Sequence, residues 1–124
     1  MTIGLTATVV NTFLDSVFAT ASCYAKLHTA DPGAAGTTAP AAGSTARVQA
    51  TMGAAAAGAK AMTSMASNWA NGGTAETLTH LSLWSAAVAG TFNGSAALTT
   101  GQAWVNTNTF ALSSLSIAIT PIAA

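Results

Sequence analysis

Thr77-Leu78-Thr79-His80-Leu81-Ser82-Leu83-Trp84 is the stretch that decides the fold class of this chain. Leu81 and Leu83 share one face, below Thr77 and Thr79, while His80, Ser82 and Trp84 face the other way. A period of two is the signature of a half-buried strand, because successive side chains leave a strand on opposite sides. Gly90 begins a hairpin return. Thr91 to Thr99 forms the next strand, interrupted at Asn93 and Gly94, where a bulge lets the chain bend. Gln102 to Val105 is a further short strand whose Trp104 packs.

The same period appears upstream. Cys23, Ala25 and Leu27 alternate with Tyr24, Lys26 and His28, a strand that ends at the Asp31-Pro32-Gly33 turn. Residues 34–45 are rich in Gly, Ala, Thr and Pro, carry no charge and show no periodicity, so residues 31–46 read as one long loop. Arg47 to Met52 is a short strand and Ala61 to Met65 a weak one. Between them, residues 54–59 fit either a flexible crossing or a poor helix. Asn71-Gly72-Gly73 is a turn after Trp69. Near the C-terminus the parity slips: Phe110 and Leu112 share one face, whereas Leu115, Ile117 and Ile119 fall on the other, so Ser113 and Ser114 host a turn or bulge. Pro121, without an amide hydrogen, ends the ladder.

Only the N-terminal segment has a helical period. Val10, Phe13, Leu14, Val17 and Phe18 fall at i, i+3, i+4, i+7 and i+8, which predicts a helix over about residues 8–19, capped by Thr6 or Thr8. One helix ahead of several short strands separated by turn signals predicts a mainly β chain: a small antiparallel β-sandwich or barrel-like domain, residues 1–124 forming one unit.

Charge is scarce. Three basic and three acidic side chains (Asp15, Lys26, Asp31, Arg47, Lys60, Glu76) cancel to a net charge of zero and make up 5% of the chain, against about a quarter in ordinary soluble domains. Zero net charge favours association, so the chain is suited to packing against copies of itself or other proteins. Three scattered basic residues give no electrostatic footprint for nucleic acid. No run of 18 strongly apolar residues argues for a membrane span. Ala19-Thr20-Ala21 imitates a signal cleavage site, yet the preceding residues contain no Lys or Arg and include Asn11 and Asp15, so a cleaved leader is not expected. The lone Cys23 forms no internal disulfide and reads as a small buried hydrophobe.

The chemical inventory is short. His28 and His80 are the only histidines, and neither stands in an HxH, HxxxH or paired-carboxylate arrangement with Asp31 or Glu76, so each reads as a hydrogen-bonded strand residue rather than a metal ligand. No GxSxG elbow frames a serine, and the glycines follow neither a Walker nor a dinucleotide pattern. Catalytic residues, metal ligands and cofactors are therefore not assigned, and an enzyme is not expected. Trp69, Trp84 and Trp104 could stack on sugars, but only Glu76 supplies a carboxylate near them in sequence. Core or interface packing is the favoured role.

Two stretches resemble a known family. Lys26-Leu27-His28-Thr29-Ala30-Asp31-Pro32-Gly33-Ala34-Ala35-Gly36, with Arg47 after the loop, is similar to the opening of small tail-fibre or minor tail proteins of tailed bacteriophages, especially phages of actinobacteria. Glu76 to Trp84, followed by Gly90, Thr91, Phe92, Gly94, Ser95, Ala97 and Leu98, resembles a second stretch of that family. The Ser113-Ser114 turn is shorter than the family's, and charged residues are sparser here. The resemblance implies a non-enzymatic β-sandwich component of the virion exterior, of minor tail, tail-fibre or capsid decoration type. Its partners would be other copies of itself and other virion proteins, with no nucleic acid and no membrane. The alternative is a carbohydrate-binding receptor-recognition module contacting a host-surface glycan. Candidate interface residues are Val10, Phe13 and Val17 on the helix, Ala35, Thr37 and Pro40 on the loop, and Trp84 and Trp104.

Overall fold

A computed structural model describes residues 3–121. Thr6 opens helix α1 (Ala7–Val17): its backbone is extended, and its hydroxyl accepts a hydrogen bond from the Val9 amide at 3.3 Å, satisfying one of the donors a helix start leaves orphaned. Phe18 closes α1, its N–H donating to the Leu14 carbonyl. Val10 and Leu14 are fully buried and Phe18 nearly so. Phe13 departs from the predicted stripe and is exposed, because one residue turns the helix by about 100° and Leu14 occupies the centre of the buried face.

Eight strands follow: β1 (Tyr24–His28), β2 (Val48–Met52), β3 (Ala59–Met65), β4 (Trp69–Ala70), β5 (Glu76–Trp84), β6 (Phe92–Trp104), β7 (Thr109–Phe110) and β8 (Ser116–Ala118). Six form an antiparallel sheet in the order β6-β5-β1-β2-β3-β8, curled into a half-barrel, and β4 pairs with β7 separately. The mainly β, antiparallel, one-helix architecture is thus the one the periodicity predicts. Alternation places Ala25 and Leu27 of β1, Val48, Ala50 and Met52 of β2, and Leu81 and Leu83 of β5 in the core with Val10 and Leu14. Each fully buried Leu, Val or Met side chain contributes about 1.5–3 kcal/mol.

The two strands expected over residues 91–99 and 102–105 are one strand, β6, because β5 remains its partner across two irregularities. Leu83 faces Gly94 and Trp84 faces Phe92, which leaves Asn93 as the extra residue of a bulge where one is expected. Further along, Leu78 faces Gln102 and His80 faces Ala97, so Leu98 to Gly101 bow out opposite Thr79. The parity slip at Ser113 and Ser114 also has a structural cause: the chain leaves β4 after Phe110 and joins β3 at Ser116.

Residues 54–59 are neither helix nor free crossing. They make a tight turn at Ala57 and Gly58 (φ 51° and 81°) that enters β3 at Ala59, pinned by the polar flank of α1. Asn11 Oδ1 accepts from the Gly58 amide (2.9 Å), and Asp15 Oδ1 accepts from the Ala55 amide (2.9 Å) and the Lys60 ammonium (2.6 Å). Lys60 is buried, and its hydrogen bond, with that of Ala55, holds the Asp15 carboxyl below the usual carboxylate range. Burial pushes the Cys23 thiol up to about 11. No helix among the described residues is long and apolar enough to cross a membrane.

Candidate functional site

The two motif stretches lie side by side as β1 and β5, in the register Tyr24 to Trp84, Lys26 to Ser82 and His28 to His80. Their even-numbered residues share the face opposite Leu27 and Leu81. There His28 is fully buried, with Nδ1 2.8 Å from the Thr38 carbonyl and Nε2 2.8 Å from Ser82 Oγ. Trp84 Nε1 donates to the same Ser82 oxygen at 2.8 Å. Donor chemistry assigns the protons: the Thr38 carbonyl only accepts, so Nδ1 carries hydrogen. Ser82, already accepting from Trp84, donates to Nε2. This neutral tautomer satisfies every polar atom in the chain of contacts.

That network ties down the long loop, and other bonds finish the work. The Thr29 amide donates to the Ala39 carbonyl and the Ala41 amide to the Leu27 carbonyl, each at 3.0 Å. The Glu76 carboxylate accepts from the Ala42 and Gly43 amides at 3.1 and 2.8 Å. Trp69 Nε1 donates to the Ala46 carbonyl at 3.0 Å. At the loop's end the Arg47 guanidinium lies 3.7 Å from the centre of the Trp84 ring and donates to the Ala86 carbonyl; at a desolvated site such a stack contributes about 2 kcal/mol. Asp31 accepts from the Gly33 amide and shapes the first turn.

Gly36 sits at φ 70° with the Phe92 ring against its α-carbon. Gly36→Ala therefore faces a left-handed backbone and a clash together, and should lower stability by about 2–4 kcal/mol in urea denaturation. A loss under half of that lower bound would mean that the loop and β6 move apart freely.

Sequence reading marks Asn71 as a turn residue and nothing more. It is buried, donates to the Thr74 and Trp104 carbonyls (2.6 and 2.9 Å) and accepts from the Gly73 and Thr74 amides (2.8 and 3.0 Å). Only its place in an Asn-Gly-Gly turn marked it, and that signal speaks of the turn rather than of the partner strand. The linkage of Lys60 to Asp15 was equally invisible.

His28 and Ser82 have the spacing of a base and a nucleophile, but Ser82 is fully buried and its oxygen is engaged by Trp84. The far ring nitrogen meets a backbone carbonyl, not a carboxylate. A hydroxyl sealed in this way positions a loop and cannot reach a substrate. His80 bonds the neighbouring Thr79 hydroxyl through Nδ1 at 2.9 Å. Among the described residues no cluster of three or more His, Cys, Asp or Glu side chains could hold a metal ion.

The candidate interface residues divide by burial. Val10, Trp84 and Trp104 are inside the protein, where they pack, and Val17 is half-buried. Phe13 on α1 and Ala35, Thr37 and Pro40 on the loop are exposed. Trp69 is buried too, its ring tilted against Phe110 at 6.0 Å; Trp84 is covered by Arg47 and Phe92. None of the three tryptophans presents a ring face to a sugar.

Burial holds His28 below its ordinary value of 6.5, and the nearby charges of Lys26 and His80 act in the same direction, against the hydrogen bonds its ring gives to the Thr38 and Ala39 backbone. The unfolded chain thus takes up a proton near pH 6.5 that the folded chain refuses. Stability is full above that pH and falls as pH drops below it. Urea midpoints measured downward from neutral pH should decline in this window, and His28→Gln should flatten the decline. An equal slope in the variant would assign the effect elsewhere.

A curled antiparallel sheet on which His28, Ser82, Glu76 and Arg47 hold the protein's own long loop places the chain in the class of small mainly β proteins. Residues 1–120 match the family described as podophage GP4 fiber I protein gp80, and the chain belongs to that family of phage fibre proteins. No curated protein matches the chain.

Proposed function

We propose that this chain is a non-enzymatic structural component of the exterior of a tailed-phage virion, of tail-fibre or minor tail type, working through contacts with copies of itself and with other virion proteins. The match of residues 1–120 to a phage fibre family carries this reading. The scarcity of charge and the sealed His28–Ser82 pair support it. A source among phages of actinobacteria rests on the Lys26 to Gly36 and Glu76 to Leu98 stretches alone. The fibre description favours the tail over decoration of the capsid. The outward side of the clamped loop, with Ala35, Thr37 and Pro40, and the exposed Phe13 of α1 are the contact elements.

Immunogold labelling of purified particles and counting of copies per virion test the reading. Label confined to tail appendages, at few copies, is the expected result. Label over the head at hundreds of copies would make it a decoration protein, and its absence from washed particles would sink the proposal.

A further inference from the structure

Asn71 and Asn93 are the two asparagines of this chain that precede glycine; Asn11, Asn106 and Asn108 precede threonine, and Asn68 precedes tryptophan. A side-chain amide is most open to attack by the following backbone nitrogen when that next residue has no side chain to shield it. The structure treats the two Asn-Gly pairs in opposite ways. Asn71 is locked: it is buried, and its amide donates to the Thr74 and Trp104 carbonyls and accepts from the Gly73 and Thr74 amides. The Gly72 nitrogen that would attack it is also engaged, donating to the Gly43 carbonyl at 2.8 Å. Asn93 is left loose. It is the extra residue of the bulge between the Leu83–Gly94 and Trp84–Phe92 pairs, and such a residue has no partner in the ladder. It is only half-buried. The side-chain hydrogen bonds of this hairpin end at Thr91, whose amide donates to Ser85 Oγ, and among the described residues none holds the Asn93 amide. A side-chain carbon placed on Gly94 would meet nothing within 4 Å, so there is room beside its nitrogen for a ring to close.

We propose that Asn93 is a site of spontaneous deamidation in which the protein's own backbone is the nucleophile. The Gly94 nitrogen gives its proton to solvent hydroxide and bonds to Asn93 Cγ. The Cγ–Nδ2 bond breaks, and the side-chain nitrogen takes up a proton and leaves as ammonia. One water molecule then opens the cyclic imide: attack at the side-chain carbonyl yields aspartate, and attack at the backbone carbonyl yields isoaspartate. Nothing is oxidised or reduced, and water is the only co-reactant. Isoaspartate adds a methylene to the main chain, and a bulge already one residue out of register is where β6 can absorb that length. A chain of zero net charge thereby gains one negative charge, beside Phe92, whose ring packs on Trp84. The inference goes beyond the virion reading and does not depend on it.

Ageing the full chain in mildly alkaline buffer, with a parallel sample in urea, tests the proposal. Isoelectric focusing reads the lost amide as a band more acidic than the parent, whose sequence isoelectric point is about 6.7. Cleavage after Glu76, the only glutamate, puts Asn71 and Asn93 on separate peptides for mass mapping. In urea both Asn-Gly pairs should convert, because the protection of Asn71 is tertiary. In the folded chain Asn93 should convert at least about tenfold faster than Asn71, which must first break its hydrogen bonds. Asn93→Gln should remove the acidic band, since a glutamine would have to close a larger and slower ring. Three results overturn the proposal: an Asn93 that stays intact in the folded chain while the urea sample converts, an Asn71 that converts as fast as Asn93, or an acidic band that persists in Asn93→Gln.

Discussion

Replacing His28 with alanine should lower the free energy of unfolding by about 3–5 kcal/mol, a large share of what a protein of this size possesses. The ring is fully buried, so its removal leaves a void. It also strands two partners, the Thr38 carbonyl and the Ser82 hydroxyl, each 2.8 Å from an imidazole nitrogen. A stranded buried polar group costs about 1–3 kcal/mol. The loss should be local as well as global: hydrogen exchange ought to accelerate at Thr38, whose amide donates to the Pro32 carbonyl, and at Ala41, which donates to Leu27. Ser82→Ala should cost less, because it leaves the ring in place, but it strands His28 Nε2 and Trp84 Nε1. A His28→Ala variant within 1 kcal/mol of the parent (well under the expected ~3) would show that the loop is held by Glu76 and Arg47 instead.

Leu14→Ala should cost about 3–5 kcal/mol, and Phe13→Ala one position earlier should cost under about 0.5. An isolated helix of 11 residues is marginal in water, so α1 exists because Val10 and Leu14 are buried against the half-barrel. Truncating Leu14 opens a cavity in the middle of that contact, while Phe13 already faces solvent. Urea midpoints with an unchanged denaturant slope are the measurement. Equal losses at the two positions would mean that the helix docks in another rotation.

Much of the fold was legible because its signals are local. The alternation of Leu81, Ser82, Leu83 and Trp84 marks β5, the Asn93-Gly94 pair marks the bulge, and the slip at Ser113-Ser114 marks the passage from β7 to β8. The turn at residues 54–59 stayed open for a local reason as well: an Ala/Gly run has no pattern of its own, and the side chains that shape it, Asn11 and Asp15, lie on the helix. Interface residues were harder to read than strands. Val10 and Phe13 belong to the same period at i and i+3, and only the direction from which the sheet approaches α1 decides which is core and which is surface. Trp84 and Trp104 failed as surface candidates on similar grounds, since an aromatic side chain serves a core and an interface equally well.

The sequence by itself determined the class of this protein: mostly strands, one helix, few charges, and two stretches that place it among phage fibre proteins. Tertiary structure decided what those stretches are for. His28 and Ser82 are 54 residues apart, and no periodicity reports a contact at that separation, because it depends on which strands become neighbours. Once β1 lies against β5, they form a single clamp with Thr38 and Trp84. The same folding step curls the sheet without closing it, so that among the described residues β6 keeps one edge without a partner strand. Periodicity is a property of a segment, whereas an open edge is a property of the strand order.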